Sequence, residues 1–293
     1  MTDDIQTISA GGLTASIKAD GAELCSLKTP EGLELLWQAG PAWPRHAPWL
    51  FPIVGRLKGD ELHHRGRTYP MTQHGFARDL RFAWREREAS SCSLLLTDSE
   101  TTRARYPFAF RLAVSYRIEA ASLDIAVTIE NPGAEVLPAS FGAHPAFNWP
   151  LSSEAPKDSY RLIFAQDELA PIRRLAGGLT RVAPEPSPVQ GRVLPLREAL
   201  FAEDAVILDR VGSRSLRYAG DREPAIGIAW EGFRELGIWS KPSGAPFLCV
   251  EPWRGCASPV DFDGEFVDKP GLMHIAPGAA ESLRLRIALC SAI

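Results

Sequence analysis

The sequence predicts an all-β protein, a large antiparallel β-sandwich, on three observations. Apolar and polar residues alternate with period two over several stretches. Helical periodicity is nearly absent. The 24 glycines and 24 prolines fall mainly between the alternating stretches, where turns belong. The chain of 293 residues is 45% apolar and 23% charged, a globular balance that excludes disorder and collagen-like structure. No internal repeat, βαβ alternation or clean boundary divides it. Residues 1–293 are therefore expected to form a single domain, a sandwich rather than a propeller.

The elements follow in chain order. Residues 13–17 alternate as a first strand, and residues 41–67 read as a long loop. Residues 100–106 allow a turn or two of helix. Phe110, Leu112, Val114, Tyr116 and Ile118 then alternate with polar or small neighbours. Leu123, Ile125, Val127 and Ile129 do the same, closed by Asn131-Pro132-Gly133. This is a hairpin of two half-buried strands ended by a turn cluster. Further strands are expected at residues 160–164, 226–230 and 283–289, the last after a Pro277-Gly278 turn. Between them lie a second long loop, 165–193, and a short helix, 196–204.

Composition also excludes functions. The 32 Lys+Arg against 36 Asp+Glu leave a net charge of −4, and the arginines are scattered among acids. Nucleic acids and anionic membranes, which need clustered cations, are poor partners for such a chain. No run approaches the roughly 18 apolar residues of a membrane span. The first residues carry Asp3 and Asp4 without a basic or apolar leader, so a cytoplasmic protein is expected. Cys25, Cys92, Cys249, Cys256 and Cys290 are widely spaced with no C-x-x-C, the pattern of small buried thiols rather than of disulfides or cysteine-based zinc sites. Nucleotide-binding glycine motifs, H-E-x-x-H and G-x-S-x-G are all missing. His63 and His64 are adjacent, so on a strand they point to opposite faces. Together with His74 they make a poor metal set, and no metal is expected.

Three islands carry the chemistry. The first runs from Trp49 to Arg56 and continues at Met71-Thr72-Gln73-His74-Gly75-Phe76-Ala77-Arg78. The second is Ser140-Phe141-Gly142-Ala143-His144-Pro145-Ala146-Phe147-Asn148-Trp149, and the third Phe247-Leu248-Cys249-Val250-Glu251-Pro252-Trp253-Arg254-Gly255. Each sets a titratable residue among aromatics and a Gly or Pro. That composition suits a pocket that stacks an aromatic on the apolar face of a sugar and hydrogen-bonds the hydroxyls at its edge. Glu251 ends an apolar run, so it emerges from a buried strand, and desolvation raises its pKa toward use as a base. His144 follows Phe141-Gly142-Ala143 in the same manner. Composition and spacing alone stop at a candidate carbohydrate pocket with an unassigned acid–base pair.

The order of these islands resembles the aldose 1-epimerase (galactose mutarotase) superfamily, in its divergent branch near the hexose-6-phosphate epimerases. The resemblance is carried by Gly55-Arg56, His74-Gly75-Phe76-Ala77-Arg78, His144-Pro145-Ala146-Phe147-Asn148, residues 201–209, Glu251-Pro252-Trp253 and Pro277-Gly278, and spans residues 12–289. It implies the galactose mutarotase-like β-supersandwich and a cofactor-independent isomerase acting on a small-molecule sugar. The two catalytic roles fall on His144 and Glu251. Glu251 as base would take the proton of the anomeric hydroxyl while His144 as acid protonates the ring oxygen. The ring opens, C1–C2 rotates, and closure on the other face gives the other anomer. Substrate binding falls on Arg56, His74 and Asp204, with Asp204 a better match than Asp209. Arg78 matches a position that faces a sugar phosphate in the phosphorylated-substrate branch. The chain departs from the best-known branch at Leu57-Lys58-Gly59, at Phe76 and at Pro252-Trp253. These departures bear on which sugar is used more than on the chemistry. A hexose-6-phosphate 1-epimerase, a non-catalytic sugar-binding protein and a glycoside hydrolase stay open as alternatives. The last needs a second carboxylate beside Glu251 that the sequence does not nominate. The sequence sets no oligomeric state.

Overall fold

In the computed structural model, residues 4–152, 155–222, 224–242 and 244–290 are described. The strand-forming segments assemble into two large antiparallel sheets that share one core. The larger has nine strands. In spatial order they are Val193–Pro195, Arg161–Phe164, Ser215–Ala219, Ala225–Glu231, Ala280–Cys290, Ser122–Glu130, Arg111–Glu119, Ser91–Thr97 and Ala83–Arg87. The smaller has six strands. Its path runs Val206–Leu208, Glu235–Trp239, Phe247–Arg254, Phe141–Ala143 and Trp49–Leu50, with Ala146–Asn148 also paired to Phe247–Arg254. A three-stranded sheet, Ile5–Ala10, Leu13–Lys18 and Leu24–Lys28, packs beside them.

The predicted hairpin shows why the large sheet forms. Leu112, Val114, Tyr116 and Ile118 are buried, while Arg111, Arg117 and Glu119 face solvent. Val114 pairs with Val127 and Leu112 with Ile129, so both apolar faces meet the same core. Full burial of such a side chain is worth about 1.5–3 kcal/mol. The smaller sheet supplies the opposing face with Phe147, Leu236, Ile238, Leu248 and Val250. A polar link joins the layers: the buried Trp49 indole donates to the Tyr116 hydroxyl at 2.8 Å. Neither polar group is left unmet in the core.

The strand Phe247–Arg254 is buried on both faces, which is why it reads as a continuous apolar run. Leu248 and Val250 point into the shared core. Phe247, Cys249, Glu251 and Trp253 point the other way, toward the loops that cover the smaller sheet. That second face carries the site.

The expected strands at 13–17, 160–164, 226–230 and 283–289 all fall within strands of the structure or overlap them closely. The turn or two of helix expected at 100–106 is a four-residue helix, Glu100–Arg103, capped by Ser99. One expectation is corrected: residues 196–204 form only a 3-10 turn, Glu198–Phe201. The two long loops also contain short strands: Trp49–Leu50, Glu61–His64 and the pair Leu175–Ala176 and Leu179–Thr180. Runs of two to four residues are too short to display alternation. The five cysteines are free thiols. No helix among the described residues is long and apolar enough to cross a membrane.

Candidate active site

His144 and Glu251 are united by strand register. Phe141–Ala143 pairs with Phe247–Arg254 through Gly142 and Trp253, and Ala146–Asn148 pairs with the same strand through Ala146 and Cys249. The register runs unbroken across the proline between them, so His144 stands opposite Glu251. His144 Nε2 lies 3.2 Å from Glu251 Oε2. His144 is 7% exposed and Glu251 1%, so the pair is almost fully withdrawn from water.

Burial governs their protonation. It depresses His144 to about 3, helped by the positive charge of Arg78. It pushes Glu251 well above the carboxylate range, and the Asp204 carboxylate pushes further. Both shifts favour neutral forms. The pair therefore holds one titratable proton, resting on Glu251, with a neutral imidazole beside it.

Aromatic rings fix the imidazole. The Trp43 indole stacks on it with centroids 4.8 Å apart, and Trp239 meets it edge-on at 5.8 Å. Trp43 sits on a loop tied down by Glu23, whose buried carboxylate accepts the backbone N–H groups of His46 and Ala47 at 2.8 and 2.9 Å and pairs with Lys18. Trp253 lies flat across the sheet because Gly142 and Gly237 beneath it have no side chain. A Cβ at Gly237 would stand 2.4 Å from its ring, and one at Gly142 2.7 Å.

These residues line an open cavity of about 590 Å³. Its walls include His74, Arg78, Arg181, Asp204, Trp43, Trp239 and Trp253 around the His144–Glu251 pair. The size fits a small-molecule site. His74 has a left-handed backbone, φ +66°, as does Gly75 at +72°, where a Cβ would collide with the Phe51 carbonyl at 2.2 Å. This tight turn aims the His74 ring at the cavity. The Gly55 N–H donates to His74 Nδ1 at 3.1 Å, which leaves the other ring nitrogen, Nε2, to carry the proton of the neutral ring. Burial, with the positive charge of Arg78 nearby, keeps that ring from gaining a second proton.

Arg78 donates to the Gln73 carbonyl at 2.8 Å, and its buried Nε has no hydrogen-bond partner. Burial, with Arg45 nearby, lowers it to about 10, still charged near neutrality. Asp204 also adopts a left-handed backbone, φ +69°, eased by its own carboxylate accepting the Ala205 N–H at 2.8 Å. Asp209, the weaker match, instead pairs with Arg173 at 2.8 Å and does not line this cavity.

Arg56 falls elsewhere. Its guanidinium grips Asp60 through Nε and Nη2, both at 2.5 Å, and it does not line the cavity. The expectation that Arg56 meets the sugar is therefore not matched by its position: an acid four residues on captures it first. The arginine that does reach the cavity is Arg181, which follows the short strand Leu179–Thr180 and is held by Glu185 and Glu203 at 2.8 and 3.0 Å. Nothing in its local sequence marked it, nor Trp43; Gln73, which also lines the cavity, lies in the first island but is not singled out there. His63 and His64 lie apart from His74, His63 against Thr68 and His64 against Glu135 and the Phe108 ring.

Comparison with known proteins agrees with this architecture. The family model described as aldose 1-epimerase matches residues 4–273. The plasmid-borne and chromosomal LacX proteins of Lactococcus lactis subsp. lactis are each 31% identical over 276 residues, covering 90% of this chain and 92% of theirs. The structure of a galactose mutarotase related enzyme from Lactobacillus acidophilus superposes with a TM-score of 0.90 at 31% identity, covering 98% of both chains. A galactose mutarotase-like protein from Lactobacillus casei gives 0.91 at 31% identity, covering 98% of this chain and all of the other. On the match along most of its length and on these relatives, the chain belongs to the aldose 1-epimerase family and has the galactose mutarotase-like fold.

Proposed function

We propose that the protein is an aldose 1-epimerase that interconverts the α and β anomers of a free aldose without a cofactor. The observation that carries this reading is the His144–Glu251 pair, 3.2 Å apart on the wall of a sugar-sized cavity. Ring opening requires one proton to leave the anomeric hydroxyl and one to reach the ring oxygen. A pair holding a single proton supplies both operations with no net change. As the sugar docks, the proton crosses from Glu251 to His144, and the carboxylate then takes the anomeric proton while the imidazolium protonates the ring oxygen. Closure on the other face reverses both transfers. Trp43, Trp239 and Trp253 offer flat surfaces to the apolar face of the ring. His74, Asp204 and Arg78, which line the cavity, would hold its hydroxyls.

Free sugars are favoured over phosphorylated ones by the acids that share the cavity with Arg78. Glu203 and Asp204 line the same cavity, and Arg181 is already neutralised by Glu185 and Glu203. Arg78 Nε, which makes no hydrogen bond and only a long 3.8 Å ion pair to Asp79, supports the phosphorylated reading. Anomer exchange followed by polarimetry or NMR, with free aldoses and hexose 6-phosphates side by side, tests both. The proposal expects faster exchange with a free aldose. It also expects Glu251→Gln and His144→Ala each to lose about 10²–10⁴-fold in rate. Full activity in both variants overturns the roles, and saturable sugar binding without exchange would mark a binding protein instead.

A further inference from the structure

Behind the His144–Glu251 pair, buried beneath the cavity wall, lies a third group that this reaction does not use. Cys249 stands two residues before Glu251 on Phe247–Arg254, so both side chains share a face. Its register partner, Ala146, is two residues beyond His144. The ligand atoms of His144, Cys249 and Glu251 all lie within 4.8 Å of one another, and all three residues are buried. His144 Nδ1 and Glu251 Oε2 have no hydrogen-bond partner.

An imidazole, a thiol and a carboxylate together form the donor set of a borderline-soft cation. Bound to one tetrahedral ion of the zinc class, such ligand atoms stand about 3.3–3.8 Å apart. His144 Nε2 and Glu251 Oε2, 3.2 Å apart, stand close to that spacing, and Cys249, within 4.8 Å of both residues' ligand atoms, has to close in by at most about 1 Å. Three protein ligands leave a fourth position for water or a hydroxyl. Calcium and magnesium, which prefer all-oxygen shells, fit poorly.

We propose that this buried cluster binds a thiophilic divalent cation of the zinc class through His144, Cys249 and Glu251, and that the bound ion shuts off sugar turnover by occupying the proton-transfer pair. Thiol and carboxyl protons leave to solvent as the ion enters. The loss of turnover rests on the epimerase reading; the binding of the ion does not. No spacing motif announced the site, because its ligands come from segments far apart along the chain.

The full chain, stripped of metal, is titrated with Co²⁺ as a spectroscopic stand-in and with Zn²⁺, while anomer exchange is followed by NMR. One equivalent of Co²⁺ should produce a thiolate-to-cobalt charge-transfer band that Zn²⁺ abolishes. Saturating Zn²⁺ should slow exchange at least about tenfold, a chelator should restore it, and equal Mg²⁺ should do nothing. Cys249→Ala and Cys249→Ser should keep the metal-free exchange rate, lose the band, and need at least about tenfold more Zn²⁺ for the same inhibition, the scale of loss when a metal site is weakened. Absence of the band in the wild type, or its persistence in both Cys249 variants, overturns the site. Exchange untouched by saturating Zn²⁺ overturns the inhibition. A band from a protein that exchanges no anomers when metal-free supports the ion site and removes the epimerase reading.

Discussion

Two buried titratable groups that face each other pull stability in opposite directions with pH. The folded chain keeps Glu251 protonated where the unfolded chain has ionised it. Its unfolded value is near 4.5, so the folded state, binding more protons, loses stability as pH rises above that value. His144 acts in the other sense: between about 3 and 6.5 the unfolded chain takes a proton that the folded chain refuses, so stability is lost as pH falls through that window. Glu251→Gln removes only the first cost. Its thermal midpoint should therefore gain on the wild type as pH is raised from about 6 to about 9, at most about 1.4 kcal/mol per pH unit. A difference that stays flat across that range would show that Glu251 folds as an ordinary carboxylate. At this scale the sequence exposed His144, Glu251 and His74, because each sits in a distinctive island of aromatics and glycine or proline. Arg56 lies outside the cavity lining, and sequence spacing does not show that Asp60 captures it. Trp43 and Arg181 stayed hidden because irregular segments deliver them, and irregular segments have no periodicity to read.

The element that decides the site is the strand Phe247–Arg254, which must keep its register on both neighbours. Glu251 meets Gly237 on one side and His144 on the other. A slip of one residue would turn Glu251 into the core and Val250 into the cavity. The flat seat of Trp253 adds a second constraint. Gly237→Ala places a methyl 2.4 Å from that ring, and overpacking of this kind costs about 1–3 kcal/mol. The variant should unfold at lower denaturant and bind sugar more weakly, since Trp253 lines the cavity. Unchanged binding with lowered stability would take Trp253 out of the sugar-contacting wall. The long strands were legible because alternation sustained over a whole strand, as in Arg111–Glu119, matches a pleated sheet with one face buried and no helical period. The short strands were not, and neither was the turn at residues 198–201, where apolar residues mimic a helix that tertiary packing does not extend.

For the whole molecule, alternation told which face of each strand is buried but not which strand lies beside it. The order of the nine-stranded sheet depends on pairings between residues far apart, such as Ser122–Glu130 with Ala280–Cys290. Those pairings are set by shape and packing across the entire core. Their weight can be measured by removing Ala280–Cys290. Because this strand is held between Ser122–Glu130 and Ala225–Glu231, its loss should prevent cooperative unfolding altogether rather than shift the midpoint. A truncated chain that still melts in one sharp transition would show that the two halves of the sheet are independently stable.

The position of Ala280–Cys290 also has a consequence for biosynthesis. A nascent chain can form its early hairpins on the ribosome, yet the two halves of the large sheet cannot join until this late segment has emerged. Until then two apolar strand edges stand open, the state in which a translating cell must guard the polypeptide against its neighbours.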